Sequence, residues 1–421
     1  MRSYLFRPAP LALASAWCAG AALMAAAAGH VTGQAPAGAG RGGAPPSAQA
    51  QPAPAGTADE ANAVIASARA SRAAGRGGEA FNTVAAFLKK YPANVDAARF
   101  QIDMFLQDQR FDDGLRTYDA SAAARQKPDA AMLAPLARFD LKRTVRLKVD
   151  QPKLEAQALE RLASDGDADA LRTLKQLSAV HSAISPDDLA PTVSLARLKD
   201  PAGEQKLASM ANARPWQERA QVFQAAGQAG VRSLTPQLIA GLHDPEPNVV
   251  VAAEIALGLI QAKEAVPDLQ KAFKSDIGIV KMNAAVALKR IGDSSADAFL
   301  ADLLTKPIAQ VRETAAGAYL FSTAKGPQWD KAVREMQSDP DELRRLDAAE
   351  MLACCDVKAA KVTLTKALAS PNPLLRQRAA QIFEARRDQL ADTVIARTIV
   401  GDSLEAIRVY GDGMTLALAK K

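Results

Sequence analysis

Pairs of adjacent alanines recur at an almost constant step through the second half of this 421-residue chain. The pairs begin 31 to 33 residues apart, at Ala252-Ala253, Ala284-Ala285, Ala315-Ala316, Ala348-Ala349 and Ala379-Ala380. In most copies, apolar residues follow three, four and seven positions after the first alanine, which places them on one face of an α-helix. Such a short helix buries its apolar face only against neighbouring copies. The spacing therefore predicts an all-α array of stacked short helices.

A second apolar helix precedes each alanine pair, and a polar turn separates the two. The turns read HDPEPN, KSDIG, TKPIAQ, SDPDE and SPNP. This helix–turn–helix unit resembles HEAT repeats, especially the short bacterial type also found in bilin lyases. The copies nearest to the family motif run from Val280-Lys281 to Leu288 and from Val311-Arg312 to Ala318. Fainter copies extend the pattern upstream, and we assign HEAT-like repeats to residues 151–387. The resemblance implies an α-α superhelix.

Residues 58–150 carry a different helical pattern. Two apolar faces flank a break at Pro92, formed by Phe81, Val84, Phe87 and Leu88 before it and by Ala97, Phe100, Met104 and Phe105 after it. The Tyr91-Pro92 ending and the following Phe111-Asp112-Asp113-Gly114 resemble a tetratricopeptide repeat (TPR), whose usual Trp, Gly and Tyr positions are partly filled here. We therefore expect TPR-like helical hairpins before the solenoid.

The N-terminus is typical of an export signal. Arg2 and Arg7 precede an apolar stretch, and the small residues that end at Ala28 provide a cleavage site, so cleavage is predicted after Ala28. An uncleaved membrane anchor is the alternative, and a lipoprotein signal at Cys18 is disfavoured because the bulky Trp17 precedes it. Residues 29–57 are rich in Ala, Gly and Pro and are predicted to be a disordered linker. The expected location is periplasmic or secreted.

The net charge and the C-terminal segment say less about the partner and the fold than the repeat does. The net charge of +6, which falls to +4 without Arg2 and Arg7, is mild and its charges are interleaved along the chain, so no nucleic-acid partner is expected.

Residues 388–421 depart from the repeat. They contain β-branched residues and the turn Gly411-Asp412-Gly413, so a final helix and a small hairpin both remain open. We favour an irregular cap that covers the end of the array.

No residue pattern points to catalysis, a cofactor or a metal. Cys354-Cys355 invites a redox interpretation, but the repeat register places Cys355 with Leu259 and Ile291, so both cysteines are predicted to be structural. The histidines His30, His181 and His243 have no metal ligands at suitable spacing. The glycine-rich stretch 75–78 lacks the Lys-Ser/Thr of a phosphate loop and is expected to join two helices.

A basic residue recurs three positions before most alanine pairs. The row consists of Lys281, Arg312, Arg345 and Arg376, with Arg344 beside Arg345. In HEAT families this position begins the second helix and its base pairs with a turn aspartate, a role open here to Asp244, Asp276 and Asp339. That structural role is favoured. The alternative is that the row lines the inner curve and binds an acidic partner segment.

Both resembled families are interaction scaffolds. We therefore expect an exported, non-catalytic scaffold or adaptor that binds a protein or peptide through its solenoid surface. An accessory or lyase-like enzyme related to bilin-lyase-type HEAT proteins is one alternative, and a nucleic-acid-binding HEAT protein is another. Membrane association is expected only if the N-terminal signal stays uncleaved.

Overall fold

A computed structural model describes residues 53–147, 151–180, 187–212, 215–322 and 325–420. These residues form twenty-three α-helices and three short 3-10 helices, and no strand occurs among them. The predicted all-α fold is thereby confirmed. Of the described helices, none is both long and apolar enough to span a bilayer. The predicted signal segment, residues 29–52 of the predicted linker, His30 and His181 lie outside the described residues.

Residues 53–147 fold into antiparallel helical hairpins. The helices are α1 (Ala58–Ala73), α2 (Gly77–Lys90), α3 (Val95–Gln107), α4 (Phe111–Arg125) and α5 (Ala130–Arg146). Helix α1 begins at a capping box, in which the Thr57 hydroxyl accepts from the Glu60 amide and the Glu60 carboxylate accepts from the Thr57 amide.

The end of the predicted linker is ordered. The Ala53 amide donates to the Ala124 carbonyl at 3.0 Å, and the Asn94 side-chain amide donates to the Ala55 carbonyl at 2.7 Å. The prediction of a disordered linker is therefore wrong for residues 53–57. Their small side chains bury little apolar surface, but their backbone groups find partners on α3 and α4.

From residue 152 onward the helices form two layers. In the inner layer each helix packs on its counterpart in the next unit. The inner helices are α6 (Pro152–Ser164), α8 (Ala190–Arg197), α10 (Trp216–Ala229), α12 (Pro247–Leu259), α14 (Gly278–Ile291), α16 (Ala309–Ala318), α18 (Glu342–Leu352), α20 (Pro373–Ala385) and α23 (Glu405–Ala419). The outer helices are α7 (Ala168–Val180), α9 (Pro201–Met210), α11 (Thr235–Gly241), α13 (Val266–Ala272), α15 (Asp297–Leu303), α17 (Pro327–Gln337), α19 (Val357–Leu368) and α22 (Thr393–Val400), with the short α21 (Arg387–Leu390) before α22.

Small side chains hold the inner helices close together. All ten alanines of the five pairs are buried. At Gly227 a Cβ atom would lie 2.6 Å from the Cα of Ala256, and at Gly258 it would lie 2.9 Å from the Cα of Ala287. Backbones this near to each other leave no room for larger residues. The alanine pairs therefore mark the helix–helix interfaces of the repeat, as predicted.

The inner layer closes on itself through its last helix. Helix α23 packs against α20 on one side and α6 on the other, and it also packs along α5. Among the described residues, five ion pairs join positions more than 200 apart, and the three with the shortest contacts are Arg408–Asp140, Arg161–Glu384 and Arg397–Asp119. At Gly413 a Cβ atom would lie 2.6 Å from both Arg161 Nε and Glu384 Oε1, so α23 crosses directly over that ion pair.

The C-terminal segment is a further repeat unit. Residues 388–420 form the end of α21 followed by α22 and α23. The final helix left open by the sequence is therefore present, whereas the favoured irregular cap is wrong and the hairpin is not formed. Arg408 lies 32 residues after Arg376, and Gly411-Asp412 takes the place of the alanine pair. The β-branched run Thr393–Val400 becomes helical because its apolar face packs on α23, and such packing overrides a weak local preference.

Candidate docking surface

The arginines of the basic row close the turn that precedes their own helix. In Arg312, Arg345 and Arg376, Nη1 donates to the two carbonyls five and six residues earlier. These acceptors are Lys306 and Pro307, Asp339 and Pro340, and Ser370 and Pro371. Arg408 makes the same pair of bonds to Asp402 and Ser403 and is a further member of the row.

The remaining donors of these arginines face carboxylates. Arg376 Nε lies 2.7 Å from Asp402 Oδ2, and Arg345 Nη2 lies 2.7 Å from Glu342 Oε1. Arg312 Nε lies 3.4 Å from Glu335 Oε2. Arg344 Nε lies 3.5 Å from Glu313 Oε2. Most of the row is therefore neutralised inside the chain.

One member of the basic row and one of its expected aspartate partners make contacts other than those predicted. Lys281 has its Nζ 5.4 Å and 5.7 Å from the ring centroids of Phe299 and Phe273, a cation–π arrangement. Asp244, expected to serve the row, pairs with Arg219 at 2.8 Å. Of the three predicted aspartates, Asp339 does contact the row, through Arg344.

Exposed apolar side chains line the edge of the solenoid where the inner helices begin. We call this set the apolar edge, and it comprises Ile277, Ile308, Leu343, Leu374 and Leu404, which are 48%, 62%, 41%, 60% and 42% exposed. Each belongs to a different one of five consecutive units, α14, α16, α18, α20 and α23. Contiguous exposed apolar residues are a feature of interaction sites.

Three members of the apolar edge occupy a position that normally carries a polar residue. Ile277, Ile308 and Leu404 are the N-cap residues of α14, α16 and α23, and none of these helices has a side-chain cap. Polar N-caps stabilise a helix by about 0.5–2 kcal/mol relative to apolar ones. Asp341 and Asn372 cap α18 and α20 normally, and there the apolar residue lies two positions later. These apolar N-caps give up the capping hydrogen bond and bury only part of their side chains.

The apolar edge was not predicted from the sequence, because the polar turns beside it were interpreted only as helix breakers. The signal was present, since an Ile or Leu recurs beside every polar turn from Ile277 onward at steps of 30 to 35 residues.

Charged side chains buried on the inner helices are paired in some units and unpaired in others. Arg378 contacts Asp347 and Glu350, with 2.8 Å between its Nη2 and Glu350 Oε2. Glu254 lies two residues after the start of its alanine pair, as Glu350 does. It is fully buried and has no hydrogen-bond partner among the residues that the structure describes. Burial raises the pKa of Glu254 to about 9, so this side chain is a neutral acid at physiological pH.

Asp412 is a second buried acid that has no hydrogen-bond partner within the described part of the chain. Burial, followed by the negative charge of Asp140, raises the pKa of Asp412 well above its ordinary value, although Arg408, Arg161 and Arg143 oppose this shift. Both acids lie inside the helix packing, so they affect the stability of the fold and are not part of the exposed surface.

The cysteines do not lie where the repeat register placed them. Helix α18 ends at Leu352, and Cys354 and Cys355 follow in a turn where both are exposed. The prediction of a buried Cys355 is therefore wrong, because the helix stops before the register position that is apolar in α12 and α14. The Sγ atoms lie 3.2 Å apart, and Lys325 Nζ lies 2.5 Å from Cys354 Sγ.

Other expected positions have simple environments. Gly75 adopts a φ of +75° and lies in the connection between α1 and α2. His243 Nε2 lies 3.4 Å from Asp268 Oδ1. Within the part of the chain that the structure describes, no three His, Cys, Asp or Glu side chains come together in a way that would hold a metal.

Comparisons with known proteins place the repeat within a family. Residues 204–276 and 235–320 match the family model for HEAT repeats. A search of curated proteins found no match. Human deoxyhypusine hydroxylase in complex with glycerol is 18% identical, with 62% of this chain and 99% of that chain covered and a TM-score of 0.29. The Escherichia coli protein YibA is 15% identical over 55% of this chain and 93% of its own, with a TM-score of 0.31. An engineered protein is 16% identical over 86% and 94%, with a TM-score of 0.28. The protein is therefore an all-helical solenoid that carries HEAT repeats, matched to the family over residues 204–320.

Proposed function

We propose that the protein is an exported, non-catalytic scaffold that binds a partner protein through the apolar edge. The observation that carries the proposal is the placement of an exposed Ile or Leu at the start of five consecutive inner helices. HEAT solenoids often mediate protein interactions, and a row of side chains that advances one step per repeat suits an elongated ligand.

The spacing of the edge favours an extended segment of the partner. Packed helices lie about 8–10 Å apart, so successive edge residues are separated by roughly that distance. A polyproline II segment advances about 9 Å in three residues and presents every third side chain on the same face, whereas a β-strand turns every third side chain to the opposite face. The ligand that fits is therefore an extended segment with an apolar side chain at every third residue.

The charges at the edge argue against an acidic ligand. Arg312, Arg345 and Arg376 direct their donors to turn carbonyls and to carboxylates of this chain. Binding a carboxylate partner would require these bonds to break. We therefore expect apolar recognition with little dependence on salt, changing by less than about twofold between 50 and 500 mM NaCl.

The proposal of export depends on residues 1–28, and it is tested separately from binding at the apolar edge. N-terminal sequencing of the protein from the envelope fraction is expected to begin at Gly29. A protein that stays in the cytoplasm would contradict export and leave the apolar edge untouched. A membrane-bound form that begins at Met1 would indicate the uncleaved anchor instead.

The variant I277S/I308S is expected to lose partner binding without losing stability. Serine is a better N-cap than isoleucine, so the melting temperature should be unchanged or higher. The two side chains are 48% and 62% exposed, and their burial on binding would supply about 1 kcal/mol each, so affinity should fall at least about tenfold. The measurement is retention of the cross-linked partner from the envelope fraction at matched protein concentration.

The matched control is V362S, which removes an apolar side chain that is 63% exposed on α19, away from the edge. It should bind as well as the wild type. Equal binding by all three proteins, or equal loss in both variants, would contradict the proposed surface. A second probe is a labelled 15-residue peptide with Leu at every third position, compared with a scrambled peptide by fluorescence anisotropy.

A further inference from the structure

Two exposed cysteines lie on the opposite edge of the solenoid from the apolar edge. Leu343 is near the start of α18, whereas Cys354 and Cys355 follow its end at Leu352. Eleven residues of helix separate the two edges by about 16 Å. The cysteines are therefore not part of the proposed docking surface, and they do not belong to the core of the repeat either.

A lysine is held against these thiols by its own contacts. Lys325 Nζ lies 2.5 Å from Cys354 Sγ and 3.9 Å from Cys355 Sγ. The same ammonium lies 4.3 Å from the ring centroid of Trp329. Trp329 is buried, and its indole N–H donates to the Ala316 carbonyl at 3.2 Å. The ammonium is thus positioned by a fixed aromatic ring.

The two thiols have unequal environments. Partial burial opposes ionisation of Cys354, but the hydrogen bonds from Lys325 and Cys355 outweigh it, so the pKa of Cys354 lies below its ordinary value. Burial and the neighbouring Cys354 raise the pKa of Cys355. A thiolate next to a lysine is the usual form of a reactive cysteine, and a second thiol beside it is the usual resolving group.

We propose that Cys354 and Cys355 form a thiol–disulfide exchange site, with Cys354 as the nucleophile and Cys355 as the resolving residue, acting on an accessible disulfide of a partner or small molecule. The Cys354 thiolate attacks one sulfur of that disulfide, a new S–S bond forms at Cys354, and the other sulfur leaves as a thiolate. The Cys355 thiolate then attacks Cys354 Sγ and releases the bound sulfur as a second thiolate. The substrate disulfide gains two electrons, the cysteine pair loses two, and the two protons pass to the departing thiolates through solvent.

The position of the pair after the helix allows the second step. A disulfide requires about 2.05 Å between the sulfurs, so the 3.2 Å separation must shorten by about 1.2 Å. Adjacent Cα atoms lie about 3.8 Å apart, below the usual range of about 4.4–6.8 Å for a disulfide, so the ring that forms is strained and easily reduced. Within α18 such a change would distort helical hydrogen bonds. In the turn, the local amide bonds run from Cys355 and Asp356 to the Leu352 carbonyl, and the cysteine side chains face solvent.

The test uses the full chain in a C18S background, with oxidised glutathione as the probe and mass spectrometry as the readout. C355S is expected to accumulate a stable mixed disulfide at Cys354, whereas the parent protein should release glutathione and retain an intramolecular disulfide. C354S should react more slowly at pH 7 than C355S, because Lys325 Nζ lies 3.9 Å from Cys355 Sγ but 2.5 Å from Cys354 Sγ.

Two lysine substitutions test whether Lys325 activates Cys354 or whether Cys354 reacts only because it is exposed. K325M is expected to shift the pH profile of Cys354 alkylation upward, and K358M, which removes an exposed lysine near the cysteines, should leave the profile unchanged. Equal rates for C354S and C355S, an unchanged profile in K325M, or two stable glutathione adducts on the parent protein would each overturn the proposal. None of these outcomes bears on binding at the apolar edge, so the two proposals fail independently.

Discussion

The variant R408L is expected to be about 3–5 kcal/mol less stable than the wild type, because it leaves a buried carboxylate without its main partner. Arg408 Nε lies 2.6 Å from Asp140 Oδ2, and both side chains are almost fully buried between α23 and α5. The same guanidinium also closes the turn at Asp402 and Ser403. Urea unfolding gives the loss in stability, and small-angle X-ray scattering shows whether the inner layer opens when α23 detaches.

Arg345 supplies a matched control. It makes the same two bonds to turn carbonyls, but its carboxylate partner, Glu342, is exposed to solvent. R345L therefore loses the turn contacts without stranding a buried charge, and the expected effect is about 1–2 kcal/mol. Similar losses in R345L and R408L would mean that the closing ion pair contributes little.

The double variant D140L/R408L tests the physical reason. Removing both charges leaves no isolated ion in the interface, so part of the stability lost in R408L should return. If the loss of stability in the double variant equals the sum of the losses in D140L and R408L, the two side chains do not interact. Arg143 also contacts Asp140 at 2.8 Å, which limits the recovery.

Closure of the inner layer links stability to the proposed docking surface. Helix α23 carries Leu404 at its start, Arg408 in its first turns and Gly413 where it crosses the Arg161–Glu384 pair. One helix thus completes both the apolar edge and the closing interface. A closed layer restricts changes in curvature, so the spacing of the edge residues is set before a ligand arrives.

The repeated part of the fold was predictable because the alanine pairs define the helix interfaces directly. Close backbone approach demands small residues at fixed positions, and this demand is visible as a period in the sequence. The helix ends were less predictable. Cys355 was assigned to the core by register, but α18 stops at Leu352, and a period does not say where each helix ends.

The closure was not predictable from local pattern, although one of its markers was present. The contacts Arg408–Asp140 and Arg161–Glu384 join segments 268 and 223 residues apart, and no short motif encodes such pairs. Gly411-Asp412 stands in place of the alanine pair, so the last unit could not be recognised by that pair. Arg408 lies 32 residues after Arg376 and so continues the basic row, which marks the last unit in the sequence.

The variant E254Q is expected to be more stable than the wild type at neutral pH, by about 3 kcal/mol at pH 7. The folded protein holds a proton on Glu254 up to a pKa of about 9, whereas the unfolded chain releases it near the ordinary value of 4.5. Between these values the folded state binds one more proton, so stability falls by about 1.4 kcal/mol for each unit of rising pH. Below about pH 4.5 both states are protonated and this loss disappears. Glutamine stays neutral in both states and so removes this pH dependence.

Urea unfolding of E254Q and wild type at pH 5, 6, 7 and 8 measures the effect, and E350Q is the control. Glu350 occupies the same place in α18 that Glu254 has in α12, but it pairs with the buried Arg378 at 2.8 Å. E350Q should therefore lose stability, by about 3 kcal/mol, since it leaves that guanidinium with less compensation. A stability difference between E254Q and wild type that stays constant from pH 5 to pH 8 would mean that Glu254 ionises in the folded protein, and the packing around α12 would then have to admit water.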